Sequence, residues 1–335
     1  MNLSTDFEEL KGMAIFETIT ALFATIACIF SLFPQALGIY KETYEAQRPD
    51  EVLMNAVLIA DIHADGDPVR DRNDNLRRLV ADINASEEKL DAIAIAGDIT
   101  NCGNIKEYIN LKGILFAYNK SKNLIPAMGN HDSRATCVEE PYFDEGSELF
   151  RDFLRTQGIK TETNYYYKVV NGCYFIVLGT ESMPDPYISD TQIEWVDSLL
   201  KEAAKTGMPC FIISHELLMG THDDRGVPAS RNLGEASEKL KAVVKKYADE
   251  GLTTVYVCGH LHRDFHEDTL VTVSDNFYSL LLPSALFTED ENEEYIPGLG
   301  VTAEVYKDSL VIRARNFNTY EWLEDYCWEL PVNIK

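Results

Sequence analysis

Basic residues are scarce in this chain: 30 Lys and Arg stand against 55 Asp and Glu, for a net charge of −25. Nucleic-acid binding rests on Lys and Arg neutralising phosphates, so a surface this acidic excludes long DNA or RNA as a partner. A small phosphorylated molecule stays admissible if bound cations supply positive charge locally. Also missing is any C-x-x-C pair among Cys28, Cys102, Cys137, Cys173, Cys210, Cys258 and Cys327. Without a thiolate cluster, a structural zinc finger is excluded. An odd number of scattered cysteines in a chain of 335 residues reads mostly as buried or incidental thiols rather than a disulfide framework. There is no repeat of solenoid period and no low-complexity tract. The composition, 45% hydrophobic and 25% charged, is that of a folded globular protein.

Charge is absent altogether between Glu17 and Lys41. The run 18–40 (TITALFATIACIFSLFPQALGIY) supplies the roughly 20 apolar residues that a membrane span needs, and Pro34 would kink or stop a helix near its end. It reads as a membrane anchor in preference to a cleaved signal peptide, because the leader carries Asp6, Glu8 and Glu9 where a basic segment belongs. It also reads as an anchor in preference to a helix packed on the soluble domain. Lys and Arg are sparse on both flanks, so topology is poorly signalled. The expected location is membrane-anchored with the main domain extracytoplasmic; a cytoplasmic-facing or secreted domain is the alternative. Residues 41–53 are polar and read as a linker. The expected division is therefore an anchor helix and linker over 1–53 and one domain over 54–335.

From Met54 onward short apolar runs alternate with periodic segments. AVLIA (56–60), AIAIA (92–96), LIPAM (124–128), CFIIS (210–214) and TTVYVC (253–258) read as buried strands. Residues 72–86, 105–118, 146–157, 189–204 and 235–248 read as helices. YYYKVV and CYFIVL flank Asn171-Gly172, a hairpin signal, and VTAEVY and LVIRAR alternate in period two around Lys307-Asp308. Hairpins among βαβ units predict an α+β fold with mixed sheets, either a plain α+β arrangement or a layered αββα one, rather than a purely parallel sheet.

Polar residues cluster just past the strands. Asp61 and His63 follow the first, Gly97 and Asp98 the second, and Gly129, Asn130, His131 and Asp132 the third. His215 follows the fourth, and Gly259, His260 and His262 the fifth. Ligands of α/β sheets bind beyond the carboxyl ends of strands. Asp, His and Asn suit Mn, Fe or Zn at mixed nitrogen and oxygen sites. D-x-H and H-x-H on extended backbone would place both side chains on one side. Five of the seven histidines stand at these strand ends; His222 and His266 do not, and read as surface or loop residues. Arg134, Arg225, Arg231 and Arg263 lie in loops from which an arginine could pair with a phosphate.

The ordered set DIH, GD, GNHD, the His of SHELL and GHLH resembles the calcineurin-like metallophosphoesterase superfamily over roughly residues 55–320. GDITNCGNIKEY is similar to the branch holding class III cyclic-nucleotide phosphodiesterases and glycerophosphodiesterases. The resemblance implies a four-layer αββα sandwich of two mixed sheets flanked by helices, carrying two metal ions. Asp61, His63, Asp98 and His262 would hold the first metal, and Asp98, Asn130, His215 and His260 the second, with Asp98 bridging. His131 and Asp132 would be the catalytic pair, Asp132 accepting the other ring hydrogen of His131. Asn130 and Arg134 would bind substrate. The expected reaction is hydrolysis of a small phosphodiester or phosphomonoester by a metal-bridging hydroxide. A Ser/Thr protein phosphatase, or a membrane-tethered metal-binding module without turnover, is the alternative. The intact His131-Asp132 pair argues against the module.

Overall fold

The computed structural model describes residues 44–86, 90–116, 123–136, 142–222, 231–286, 288–289 and 295–335. The apolar run 18–40, and with it the expected N-terminal apolar helix, lies outside these residues, as does Arg225. Among the described residues no helix is long and apolar enough to cross a membrane.

The continuous apolar runs become fully buried strands, as chains covered on both faces do. Met54–Ile59 forms β1, Ala92–Ile95 β2 and Leu124–Pro126 β3, paired in parallel. Helices α1 (Asp71–Ala85) and α2 (Ile105–Phe116) connect them. Helix α3 (Phe143–Thr156) leads to the hairpin β4 (Tyr166–Val170) and β5 (Cys173–Val177). Its turn residues Asn171 and Gly172 take φ of 48° and 88°, as a type I′ turn requires. Then follow α4 (Asp190–Ala203), β6 (Cys210–Ile213), α5 (Ala236–Ala248) and β7 (Thr254–Cys258). The remaining strands are β8 (Leu270–Ser274), β9 (Phe277–Leu281), the short β10 (Thr288–Glu289) and β11 (Tyr295–Ile296), β12 (Leu299–Val305), β13 (Ser309–Asn316) and β14 (Glu321–Pro331).

Two six-stranded mixed sheets result, ordered β14-β13-β12-β1-β2-β3 and β4-β5-β6-β7-β9-β8. The second shows the period of two expected of strands. Phe175, Phe211, Val255 and Val257 join Val57, Ile93 and Val301 of the first sheet in one core. Ile176, Ile212 and Tyr256 point the other way, to Val196, Leu200, Leu240 and Val244 of α4 and α5. Leu76, Leu79 and Leu111 of α1 and α2 pack into the core of the first sheet. The α+β reading with two mixed sheets and flanking helices thus holds.

Two expectations need revision. Residues 44–51, read as part of a linker, lie against the domain. Tyr44 is buried and its hydroxyl donates to Asn55 Oδ1 at 2.5 Å, Gln47 N donates to Glu304 at 2.8 Å, and the Arg48 guanidinium sits 3.8 Å over the Tyr306 ring. Polar composition concealed an aromatic and an arginine with partners in the sheet. The cysteines are also not all free: Cys173, Cys210 and Cys258 are buried thiols, but Cys102 is disulfide-bonded.

The carboxyl ends of β1, β2, β3, β6 and β7 meet at one edge, and backbone bonds join the sheets there. Ala60 bridges to Ser284, beyond β9, and Ala285 N donates to Ala60 O at 2.9 Å.

Candidate metal centre

Strands β1, β2 and β7 stop at this edge where the chain turns sharply. Asp61, His63, Asp98, His260 and His262 all have positive φ, between 42° and 76°. The side chains of D-x-H and H-x-H are therefore presented from left-handed turns, not from the extended backbone expected. That conformation costs roughly 1–2 kcal/mol for a residue with a Cβ, and such strain gathers at functional sites. Glycines make room for the carboxylates. A Cβ on Gly129 would stand 2.2 Å from Asp98 Oδ1, and one on Gly259 2.4 Å from Asp61 Oδ2. The main chain then fixes both carboxylates, His131 N donating to Asp98 Oδ1 at 2.8 Å and His260 N to Asp61 Oδ2 at 3.0 Å.

The free oxygen Asp98 Oδ2 stands between the two histidine groups, 3.7 Å from His63 Nε2 and 3.3 Å from His215 Nε2. On one side His63 Nε2 lies 3.1 Å from His262 Nε2, which is 3.3 Å from Asp61 Oδ1. On the other, His215 Nε2 lies 2.8 Å from His260 Nδ1 and 3.1 Å from Asn130 Oδ1. The sets Asp61, His63, His262 and Asp98, His215, His260 each bring their donor atoms within metal-ligating reach. All seven expected ligands are thus brought together. A third set, His63, Asp98 and His131, overlaps both.

These residues fit a pair of cations. Ring nitrogens pair at 2.8 and 3.1 Å, close enough for the two nitrogens of each pair to share one proton or one cation. His215 Nδ1–H donates to Ala96 O at 3.0 Å, which leaves Nε2 for ligation. His260 Nε2 is buried with no partner among the described residues. Burial holds the imidazoles of His63 and His260 down to about 4 and about 3, in the neutral form that binds metal. Burial opposes ionisation of Asp98, yet the His215 charge and hydrogen bond, with His63, keep its carboxyl well below the usual range. No lysine or arginine bonds to either carboxylate, so the acidic floor lacks a fixed counter-charge among the described residues.

His131 and His262 form the accessible face, their side chains 26% and 29% exposed above an almost wholly buried floor. The Nδ1–H of His131 donates to Asn101 O at 2.6 Å, so Nε2 turns inward, 3.9 Å from Asp98 Oδ2. This corrects the expected role of Asp132. Its carboxylate is buried and filled by Thr100 Oγ1 at 2.6 Å, Thr100 N at 2.9 Å, Gly129 N at 2.8 Å and Ile99 N at 3.1 Å. Asp132 fastens the Asp98 loop to the Asn130 loop, and a backbone carbonyl orients the ring. Carbonyl partners such as Asn101 and Ala96 carry no side-chain signature, which is why sequence reading missed them. The guanidinium of Arg134 makes no bond to the centre, Arg231 is exposed, and Arg263 donates to His222 O at 3.3 Å. His222 is in a loop but buried, contrary to a surface role, while His266 is exposed.

Known proteins resemble this chain in sequence and in fold. The model of the calcineurin-like phosphoesterase family matches residues 54–264. The chain is 22% identical over 238 residues to a glycerophosphodiester phosphodiesterase of Enterobacter lignolyticus, covering 65% of this chain and 78% of that one. It is 31% identical over 173 residues to a cAMP/cGMP dual specificity phosphodiesterase of Mycobacterium tuberculosis, covering 49% of each, so it spans about half of that relative's length. Its fold is similar to the crystal structure of a dimetal phosphatase from Danio rerio, with a TM-score of 0.56 at 14% identity over 84% of this chain and 100% of that one.

Proposed function

Because the chain belongs to the calcineurin-like phosphoesterase family and is thereby a hydrolase acting on phosphoric esters, we propose that its substrate is a small phosphodiester, cleaved by water. One observation carries this: Asp98 Oδ2 stands between two groups of neutral or carboxylate-paired histidines, the donor set for two cations sharing one carboxylate. Asp61, His63, Asp98 and His262 would hold one, and Asp98, Asn130, His215 and His260 the other. Mn, Fe and Zn all suit these ligands. When bound, such a pair polarises phosphate oxygens and lowers the pKa of water.

The chain's own residues supply the rest. Asn130, half-exposed beside His215, can turn its amide N–H toward a phosphoryl oxygen as charge builds there. His131, its Nδ1 proton committed to Asn101, presents Nε2 to give a proton to the departing oxygen. Asp132 holds Thr100 and thereby the Asn101 loop in place. The names of the two phosphodiesterase relatives support a diester over a monoester. An extracytoplasmic, membrane-tethered location is supported by the apolar run 18–40 and by the Cys102 disulfide, which suits an oxidising compartment.

The test is hydrolysis of bis-p-nitrophenyl phosphate and p-nitrophenyl phosphate by the full-length chain, stripped of metal and then given Mn²⁺. Mn²⁺-dependent activity greater on the diester is expected. His131→Ala should lower it about 10²–10⁴-fold at unchanged metal content. Activity mainly on the monoester would make the protein a phosphatase, and undiminished activity in H131A would remove His131 from the mechanism.

A further inference from the structure

If His131 protonates the departing oxygen, as the reading above requires, the departing group lies on the His131 flank of the centre. Arg72, the second residue of α1, stands on that flank. Its guanidinium donates to the side-chain oxygen of Asn101, the residue whose main-chain oxygen takes the His131 Nδ1 proton at 2.6 Å. A single residue thus separates Arg72 from the imidazole. The acids nearby are already engaged: Asp67 with Arg70 at 4.0 Å, and Asp74 with Arg77 at 2.5 Å. Among the described residues no carboxylate pairs with Arg72, although the chain carries 55 acidic side chains to 30 basic ones. Its hydrogen-bond partner is a neutral amide, and it is only half-buried, so donors of its planar fork remain open to a ligand.

We infer that Arg72 is a specificity residue that binds an oxyanion on the departing group, a carboxylate or a further phosphate, rather than the phosphoryl group being cleaved. The guanidinium fork matches either anion with two parallel bonds. Arg72 bonds to Asn101 and to none of the candidate metal ligands, so this contact would select among esters without taking part in bond cleavage.

The experiment compares two aryl methyl phosphates whose departing phenols differ only by a carboxylate, using the Mn²⁺-loaded full-length chain. The readout is the ratio of kcat/KM for the carboxylated and plain esters, in the unmutated protein and in R72Q and R72K. Gln can still donate to Asn101 but carries no charge. The ratio should fall about tenfold in R72Q, the size of one charged hydrogen bond, and by less in R72K. A ratio unchanged in R72Q overturns the inference. So does a parallel fall in both rates at constant ratio, which would make Arg72 a support for Asn101 and His131 alone. Hydrolysis of neither ester by the unmutated protein strikes at the reading of the centre itself, and so is distinct from a failure confined to Arg72.

Discussion

The fold buries charge in two places, and it treats them differently. Beneath α1, Asp82 and Arg315 are both fully buried, and the guanidinium meets the carboxylate with two bonds, Nε at 2.7 Å and Nη2 at 2.8 Å. Burial raises the Asp82 pKa above its usual value, although the Arg315 bond and charge oppose this. At the carboxyl edge, Asp61 and Asp98 are as deeply buried, but histidines surround them and nitrogen faces nitrogen at 2.8 and 3.1 Å. The first cluster is complete within the chain. The second has acceptors and ligand nitrogens in excess of fixed positive charge, and it is built on left-handed backbone. Buried charge is structural where the chain supplies its own counter-ion, and is a binding site where it does not.

Breaking the complete cluster should have the larger effect. Arg315→Met strands Asp82 without a partner, and removal of one member of a buried pair costs about 3–5 kcal/mol. The measure is the urea midpoint at pH 7. Combining it with Asp82→Asn should restore part of the loss; a double variant no more stable than R315M would show that Arg315 acts through its packing on Trp322, 4.7 Å from the guanidinium, instead. Next in size is the response to metal. Mn²⁺ at a hundred times its dissociation constant should stabilise the unmutated chain by about 2.7 kcal/mol, since only the folded state holds the site. R315M should keep that increment and Asp98→Asn should lose most of it. Equal increments in all three would mean that Mn²⁺ binds elsewhere.

Much of this was legible beforehand, for identifiable reasons. The buried strands β1, β2, β3, β6 and β7 are uninterrupted apolar runs, and each ends in polar residues of the candidate site, so strand and candidate ligand are read together. The seven candidate ligands lie side by side at this edge. What stayed hidden has no local signal. β14 carries Glu321, Glu324, Asp325 and Glu329 on a half-exposed edge, so its acidic composition masked a strand paired with β13. β8 and β9 pair around Asp275-Asn276, where Asn276 takes φ of 57°. The misplaced role of Asp132 has a similar cause: adjacency to His131 suggests a contact, but the 3-10 turn Asp132–Arg134 swings its carboxylate inward to four donors. Left-handed φ at Asp61 and His63 has no local signal either; the partner of the neighbouring Ala60 is Ser284, more than two hundred residues away.

His222 tests the comparison at its smallest scale, as a buried histidine belonging to neither cluster. Its Nδ1–H donates to Asp268 O at 2.8 Å, and Ser279 Oγ–H donates to its Nε2 at 2.7 Å, so both ring nitrogens are satisfied in the neutral form. Burial lowers its pKa below the usual value, the Asp268 bond and charge oppose this, and Arg263 adds to the lowering. With the folded value depressed, the unfolded chain binds a proton that the folded chain refuses once pH drops below about 6.5. The stabilising contribution is therefore present above that pH and is lost as pH falls toward the folded value. The slope from one such group is at most about 1.4 kcal/mol per pH unit. His222→Gln keeps a donor and an acceptor but cannot titrate. Urea unfolding of the metal-free proteins between pH 7.5 and 5 should show a smaller acid loss in H222Q than in the unmutated chain. The depressed histidines His63 and His260 at the centre contribute to the remaining acid loss in the same direction. Identical slopes in the two proteins would leave His222 as packing alone and place the acid sensitivity in other buried groups.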